Sequence, residues 1–247
     1  MRICVSGTGS QGKSTFIKDF IKEWSDYSTP KNTYRSYVKN THSKCGTKDM
    51  QWKILNEMVD ELQKHSTDDK VIYDRGPLDN LAYTIYLNAN NLGGVDDDFV
   101  EKTMAVCKES FKFIDIIFFI PITKVTEDIT YDNDKFQSDK EKGIVDEQFR
   151  GEVDAVFKAL KYDWDVNMAS NIFDPHDKPA IIEIFGKPIE RVQMAKLYLN
   201  STGDSIDGDI NNIITEAELM QQQELKREFG ITDETTDQII QNPTGYQ

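Results

Sequence analysis

Hydrophobic positions along this chain follow two periods, and the switching between them points to a fold class. Short apolar runs bounded by turn residues read as strands at Arg2 to Ser6, Lys70 to Arg75, Phe113 to Ile120 and Ala180 to Phe185. Between them, apolar stripes at three- and four-residue spacing read as helices. Phe16, Ile17, Phe20, Ile21 and Trp24 mark one from Thr15 to Trp24, and Met50, Ile54, Leu55, Met58, Val59 and Leu62 mark one from about Lys48 to Lys64. Pro77 opens a helix carrying Leu81, Ile85 and Tyr86, and Gly93 to Lys112 holds another behind an acidic cap. Val153, Val156, Phe157 and Leu160 lie on a further helix, and Ile189 to Leu199 forms a closing one. Thr33 to Val38 alternates like a short additional strand.

Strand and helix alternate, with crossovers long enough for parallel pairing, so the predicted class is α/β with a doubly wound parallel sheet. The run Phe113 to Ile120 is continuously apolar, as a central strand covered on both faces would be. Two segments break the pattern. Thr123 to Gly151 is charged and weakly periodic and reads as a mobile lid. Beyond Asn200 the chain turns polar and acidic, with ten acids against two bases from Ser201 to Gln247. The expected organisation is a domain over 1–200, with its lid at about 123–151, and an acidic, mainly helical extension over 201–247.

Composition narrows the partners. The formal charge is −14 over 247 residues, more than half of it in the extension, which argues against general binding to nucleic-acid backbone or anionic membrane. The three cysteines, Cys4, Cys45 and Cys107, are scattered and form neither a metal-ligand cluster nor a disulfide framework. Met1 to Val5 is already strand, leaving no stretch for a signal peptide, and Phe111 to Ile122 is too short to span a bilayer. A cytoplasmic location follows as the expectation, the host cytoplasm if the source is viral. The oligomeric state stays open, a homo-oligomer included.

The chemistry begins directly after the first strand. Gly7 to Ser14 reads G-T-G-S-Q-G-K-S, a complete phosphate-binding loop. Gly7, Gly9, Ser10, Gln11 and Gly12 would turn backbone amides toward the β- and γ-phosphates of ATP. Lys13 would add a point charge, and the Ser14 hydroxyl could ligate Mg2+. The helix starting at Thr15 would aim its N-terminus at the same anion. The second constellation, Asp74-Arg75-Gly76-Pro77-Leu78-Asp79, falls at the C-terminal end of a strand, where an open parallel sheet binds ligands. Asp74 could accept the acceptor's hydroxyl proton or hold a magnesium-bound water, and Arg75 could neutralise charge on the transferred phosphoryl group. Asp79 is a candidate substrate residue or a first-turn carboxylate favouring its helix dipole.

In the lid, Lys135, Lys140, Lys142 and Arg150 are cations available to close over phosphates. Arg150 stands out because it starts a helix that could swing as a unit. Tyr34, Arg35, the helix around Gln51 and the Tyr83 region would build the acceptor pocket. The chain shows no apolar strand ending in Asp-Glu, as a hydrolytic motor would, and no N-K-x-D loop for guanine. Transfer to an acceptor other than water is favoured.

Together, G-T-G-S-Q-G-K-S-T, Y-D-R-G-P-L-D-N-L-A-Y, E-Q-F-R-G-E-V-D and I-I-E-I-F-G-K-P-I-E-R-V resemble the P-loop kinases of the nicotinamide-riboside-kinase and phage nucleotide-kinase group, also known as AAA_28 domains. The resemblance runs from about Arg2 to Leu199. It implies that Lys13 and Ser14 bind phosphate and magnesium, that Asp74 and Arg75 work at the acceptor, that Arg150 belongs to the lid, and that Gly186, Lys187 and Pro188 lie near the adenine. One departure is that relatives often carry an arginine after a D-G pair in the lid, where this chain has Lys142-Gly143-Ile144. Lysine does not reproduce arginine's planar, bidentate contact.

Three functions compete on this reading. The first is an ATP-dependent kinase for a nucleoside, nucleoside monophosphate or related ribosyl molecule. The second is a kinase for a modified (hydroxymethyl) base in phage DNA, which the acidic charge opposes. The third is a nucleotide-sensing binding module. Separately, Asp207, Asp209, Asn211, Ile214 and Glu218 follow calcium-loop spacing, with Asn212 at the usual glycine. A loop capping the helix that begins near Thr215 is the favoured reading.

Overall fold

A computed structural model of the chain describes residues 1–32, 34, 36, 46–131, 137, 146–166 and 179–206. The chain divides into two units, Met1–Asp204 and Ser205–Gln247, and the first carries the fold described below. Its strands are β1 (Arg2–Ser6), β2 (Val71–Asp74), β3 (Ile116–Phe119) and β4 (Ala180–Glu183). Among the described residues they form one parallel sheet in the order β2-β1-β3-β4, with Ile3 opposite both Ile72 and Ile116. The helices are α1 (Lys13–Glu23), α2 (Lys48–Lys64), α3 (Pro77–Ala89), α4 (Asp97–Ser110), α5 (Lys124–Tyr131), α6 (Glu147–Val166) and α7 (Pro188–Ala195).

The two central strands are β-branched and aromatic, and Ile3, Cys4, Val5 and Ile116 to Phe119 are all at most 1% exposed. Phe16 and Phe20 of α1 meet Phe118 edge to face or tilted, with ring centroids 5.7 and 6.2 Å away. A second cluster, built from Leu55 and Leu62 of α2, Leu81 of α3, Cys107 of α4 and Phe157 of α6, packs with Cys4, Tyr73 and Phe119. Successive crossovers leave β1 toward β2 and then toward β3, so the connection direction reverses beside β1. The crevice at the C-terminal ends of these strands is where such a sheet binds ligands.

Four helix starts carry a cap or proline signal, while α1 begins at Lys13, two residues before the expected Thr15. The Thr47 side chain accepts from Met50 N–H, Asp96 from Phe99 N–H, and Pro77 and Pro188 each open a helix. Of the strand expected at Thr33 to Val38, Tyr34 and Ser36 are helical, and its other four residues lie outside the described residues. The place beside β2 is taken by Ser28, which makes a single parallel bridge to Val71. Pro30 follows two residues later, and with no N–H it does not extend the ladder. The apolar run from Phe113 is also shortened, because Phe111–Phe113 forms a 3-10 turn before β3.

Within the expected lid, Lys124–Tyr131 is a helix and α6 begins at Glu147. Arg150 is therefore carried by a helix whose Val153, Phe157 and Leu160 are buried. Arg35, Cys45, Lys135, Lys140, Lys142 and the Asp207 to Glu218 loop lie outside the described residues. Among the described residues, no helix is long and apolar enough to cross a membrane.

Candidate functional site

The loop between β1 and α1 is built on glycine geometry. Gly7 has φ +137° and a Cβ there would stand 2.6 Å from the Ile120 carbonyl oxygen. Gly12 sits in the left-handed region at φ +76° and caps α1 with no side-chain bond. The first turn of α1 thus presents its amides with no side-chain acceptor from the cap, as an anion-binding helix start requires. Lys13 is buried, and its ammonium donates to the carbonyls of Gly7 at 2.7 Å and Thr8 at 2.6 Å. Burial, with Arg75 nearby, lowers its pKa to about 7 against the opposing pull of Asp79 and Asp74. Arg150 Nε donates to the Gly9 carbonyl at 2.8 Å. Two cations are therefore drawn onto carbonyls of a loop shaped for an anion. Ser10, with φ +60°, and Thr15 are at the surface.

Behind the loop stands a residue that sequence reasoning passed over. Arg191 of α7 is buried, donating through Nη1 to the Gln11 carbonyl at 2.6 Å and through Nε to the Gly186 carbonyl at 3.0 Å. It joins the phosphate loop to the turn Gly186, Lys187 and Pro188. Burial lowers its pKa. Its signal was an arginine within the apolar stripe of a short helix, beside Val192 and Ala195.

Asp74 and Arg75 arrive at the loop from the end of β2. The Ser14 hydroxyl donates to Asp74 Oδ2 at 2.8 Å. This pair of hard oxygens, beside a loop made for phosphates, fits magnesium, which takes one or two carboxylates plus phosphate oxygens and water. Arg75 has φ +78°, rare for a side chain of this size. Its guanidinium lies over the rings of Tyr34 and Tyr83, 4.7 and 5.3 Å from their centroids. It also reaches Asp79 Oδ1 at 3.2 Å and the Tyr83 hydroxyl at 3.3 Å. Burial works against the Arg75 charge, but Tyr83, Asp79 and Tyr34 outweigh it and its pKa is raised.

Asp79 stands behind this arginine, 1% exposed, accepting also from the backbone N–H groups of Gly7 and Gly76. Burial raises its pKa despite Arg75 and Lys13. It joins the phosphate loop to the turn after β2.

A cavity of about 300 Å³ opens from Ser14, Asp74 and Arg75 and runs along α1 and α2. That is the lower end of the range for small-molecule sites. Tyr34 lines it, as expected of the acceptor pocket, but on α2 the lining falls at Met58, Glu61 and Leu62, two turns beyond Gln51. Gln51 is instead held by Asn80, whose amide donates to its backbone and side-chain oxygens at 3.0 and 2.9 Å. Tyr83 is met through Arg75. Glu61 and Asn32 were missed, although a glutamate three residues after Met58 on the apolar stripe of α2 was a visible signal.

Against known proteins, the AAA domain family (AAA_28) matches residues 2–163. No curated protein matches the chain significantly. Among solved structures, deoxyadenosine kinase from M. mycoides with dCMP and a flexible dCDP bound is similar at 17% identity, with a TM-score of 0.53. The match covers 78% of this chain and 96% of that one. The same kinase with bound dCTP matches at 18% identity and TM-score 0.51, over 78% and 96%. NadR in complex with NR matches at 13% identity and TM-score 0.53, over 83% of this chain and 52% of that one. These likenesses show a common fold.

Proposed function

Because the chain belongs to the AAA_28 family of AAA domains, we propose that it is an ATP-dependent kinase transferring the γ-phosphoryl group to a nucleoside, nucleoside monophosphate or related ribosyl molecule. The observation that carries this reading is the Ser14 to Asp74 contact, which joins a complete phosphate loop to the mouth of a ligand-sized cavity. The fold shared with a deoxyadenosine kinase and with NadR bound to NR supports a nucleoside-type acceptor.

In this reading Lys13 and Arg150 exchange the carbonyls of Gly7, Thr8 and Gly9 for phosphate oxygens, which the loop amides bind as well. Ser14 and Asp74 would hold magnesium, which when bound neutralises charge on the β- and γ-phosphates. The acceptor hydroxyl lies at the Asp74 end of the cavity and passes its proton to that carboxylate as its oxygen bonds the phosphorus and ADP leaves. Arg75, fixed by two tyrosines and Asp79, stabilises the charge that spreads over the transferred group. Arg191 holds the Gly186 to Pro188 turn, near the adenine, against the loop.

Labelled ATP offered with nucleosides, nucleoside monophosphates, nicotinamide riboside and hydroxymethylated DNA tests the reading. Transfer to a small ribosyl acceptor is expected. Transfer to DNA alone would select the modified-base kinase, and ATP binding without transfer to any acceptor would select a sensing module.

A further inference from the structure

We propose that Glu61 reads the base of the acceptor, so that phosphate goes to nucleosides or nucleotides whose base carries an exocyclic amino group in preference to their oxo counterparts. The inference rests on the cavity being the acceptor site, and it assigns that site its substrate class.

Two carboxylates line the cavity, Asp74 and Glu61. Asp74 is engaged with Ser14, which puts the reacting end of the acceptor there and leaves the stretch along α2 for the rest of the molecule. That stretch is mostly apolar, formed by Ile17, Ile21, Met58 and Leu62, as a flat base needs. Glu61 breaks it, with a side chain only 9% exposed. A carboxylate taken out of water demands donors, and those that Glu61 has are all at long range. Asn32 Nδ2, Lys64 Nζ and His65 Nε2 each stand 3.4 Å away, beyond the usual 2.9 to 3.0 Å. The other ring nitrogen of His65 is engaged by Asp68 at 2.5 Å.

A second polar group belongs to a residue of the same wall. Tyr73 borders the cavity, is 6% exposed, and its buried hydroxyl has no hydrogen-bond partner among the described residues. The wall therefore offers a strong acceptor in Glu61. Cytosine, guanine and adenine present an amino donor beside an acceptor nitrogen or oxygen. Uracil in place of cytosine, and hypoxanthine in place of adenine, turn a carbonyl where the amino group would be, oxygen against oxygen, and give Glu61 no closer donor.

The test measures kcat and KM with labelled ATP for cytidine against uridine and adenosine against inosine, each as nucleoside and monophosphate. Calorimetry gives the dissociation constants of the same compounds. The amino member of a pair is expected to lead in kcat/KM by about tenfold or more, chiefly through KM. In Glu61→Gln, whose amide both donates and accepts, the ratio should fall to within about threefold of one. In Glu61→Asp, which keeps the charge but withdraws it, the preference should keep its sign while KM rises.

Equal kcat/KM within both pairs in the wild type, or an unchanged ratio in Glu61→Gln, overturns the inference while leaving the kinase standing. Discrimination in binding without any transfer leaves the inference and removes the kinase. Absence of both binding and transfer overturns both. If Glu61→Gln does not fold, the wild-type pair ratio together with Glu61→Asp decides.

Discussion

Ser14 and Asp74 lie 60 residues apart in the chain and meet at 2.8 Å, hydroxyl to carboxylate. One begins α1 and the other ends β2. The contact exists because β1 and β2 pair in register, with Val5 opposite Asp74, so that both strands finish at the same level of the sheet. The order of the sheet thus delivers a carboxylate to the phosphate loop without any sequence proximity.

Asp74→Asn keeps this shape and removes the charge. We expect kcat to fall by about a hundredfold or more, with the dissociation constant for ATP changed only a few-fold, because the carboxylate acts on the proton and the metal in the transition state. Single-turnover transfer and calorimetry with ATP separate the two effects. Unchanged turnover would reduce Asp74 to a strand-end residue.

Lys13→Ala should abolish transfer without unfolding the protein. The sequence suggests an exposed lysine, whereas the ammonium is buried against two carbonyls. Its removal deletes a desolvated cation, so the melting temperature should hold or rise. A folded Lys13→Ala protein with wild-type turnover would remove the kinase reading.

The same lysine gives a pH signature. Its pKa is near 7 in the folded chain against 10.5 for an ordinary lysine, so between those values the unfolded state binds more protons and this site's contribution to stability rises with pH. Triphosphate binding runs the opposite way. An anion favours the ammonium, so at about pH 8 binding takes up a fraction of a proton and affinity declines as pH rises, by at most about tenfold per unit. Calorimetry in buffers of different ionisation enthalpy measures the uptake. Equal uptake in a Lys13→Ala protein that still binds ATP would assign the proton to another group.

Much of this arrangement is legible in the amino-acid sequence. The phosphate loop announces itself because it needs glycine at fixed offsets, and α2 runs between the ends that its apolar stripe and Thr47 cap mark. The alternation from Thr33 to Val38 misleads at Tyr34 and Ser36, which are helical, because alternation reports faces but not whether a partner strand stands alongside. The buried side of the site is hardest to read. Arg191 and Glu61 occupy positions where an apolar residue would continue the stripe, and pattern alone treats them as flaws. Their sense lies in what they face, the Gln11 and Gly186 carbonyls for one and the cavity for the other.

Arg191→Met, which keeps the length and the apolar stem, should therefore act on nucleotide binding. The Gln11 and Gly186 carbonyls lose their common donor, and we expect the KM for ATP to rise by about tenfold with a smaller change in kcat, as for a residue that positions the loop. Arg191→Lys should rescue partially, since an ammonium lacks the forked geometry to hold both carbonyls. An unaltered KM in Arg191→Met would confine the arginine to packing.

The boundary of the folded unit gives the last test. The sequence pattern ends the domain near Asn200, with the closing helix, but three further residues, Thr202, Gly203 and Asp204, are tied back to it. The Tyr27 hydroxyl donates to the Gly203 carbonyl at 2.7 Å, and Lys70 Nζ donates to the Thr202 carbonyl and pairs with Asp204 at 3.1 Å. Gly203 packs under Trp24 and Tyr27 with φ +80°, a conformation and a closeness that a larger residue would not tolerate. A chain cut after Asp204 should keep these bonds and melt within a degree or so of the same chain cut a few residues later. A chain cut after Asn200 leaves the buried Tyr27 hydroxyl without its acceptor, for a loss of about 1–3 kcal/mol. In a domain of this size that lowers the melting temperature by about 2–10 °C. Calorimetric melts of the two truncations decide it. Equal melting temperatures would show that the Trp24 and Tyr27 pocket closes without the Gly203 turn.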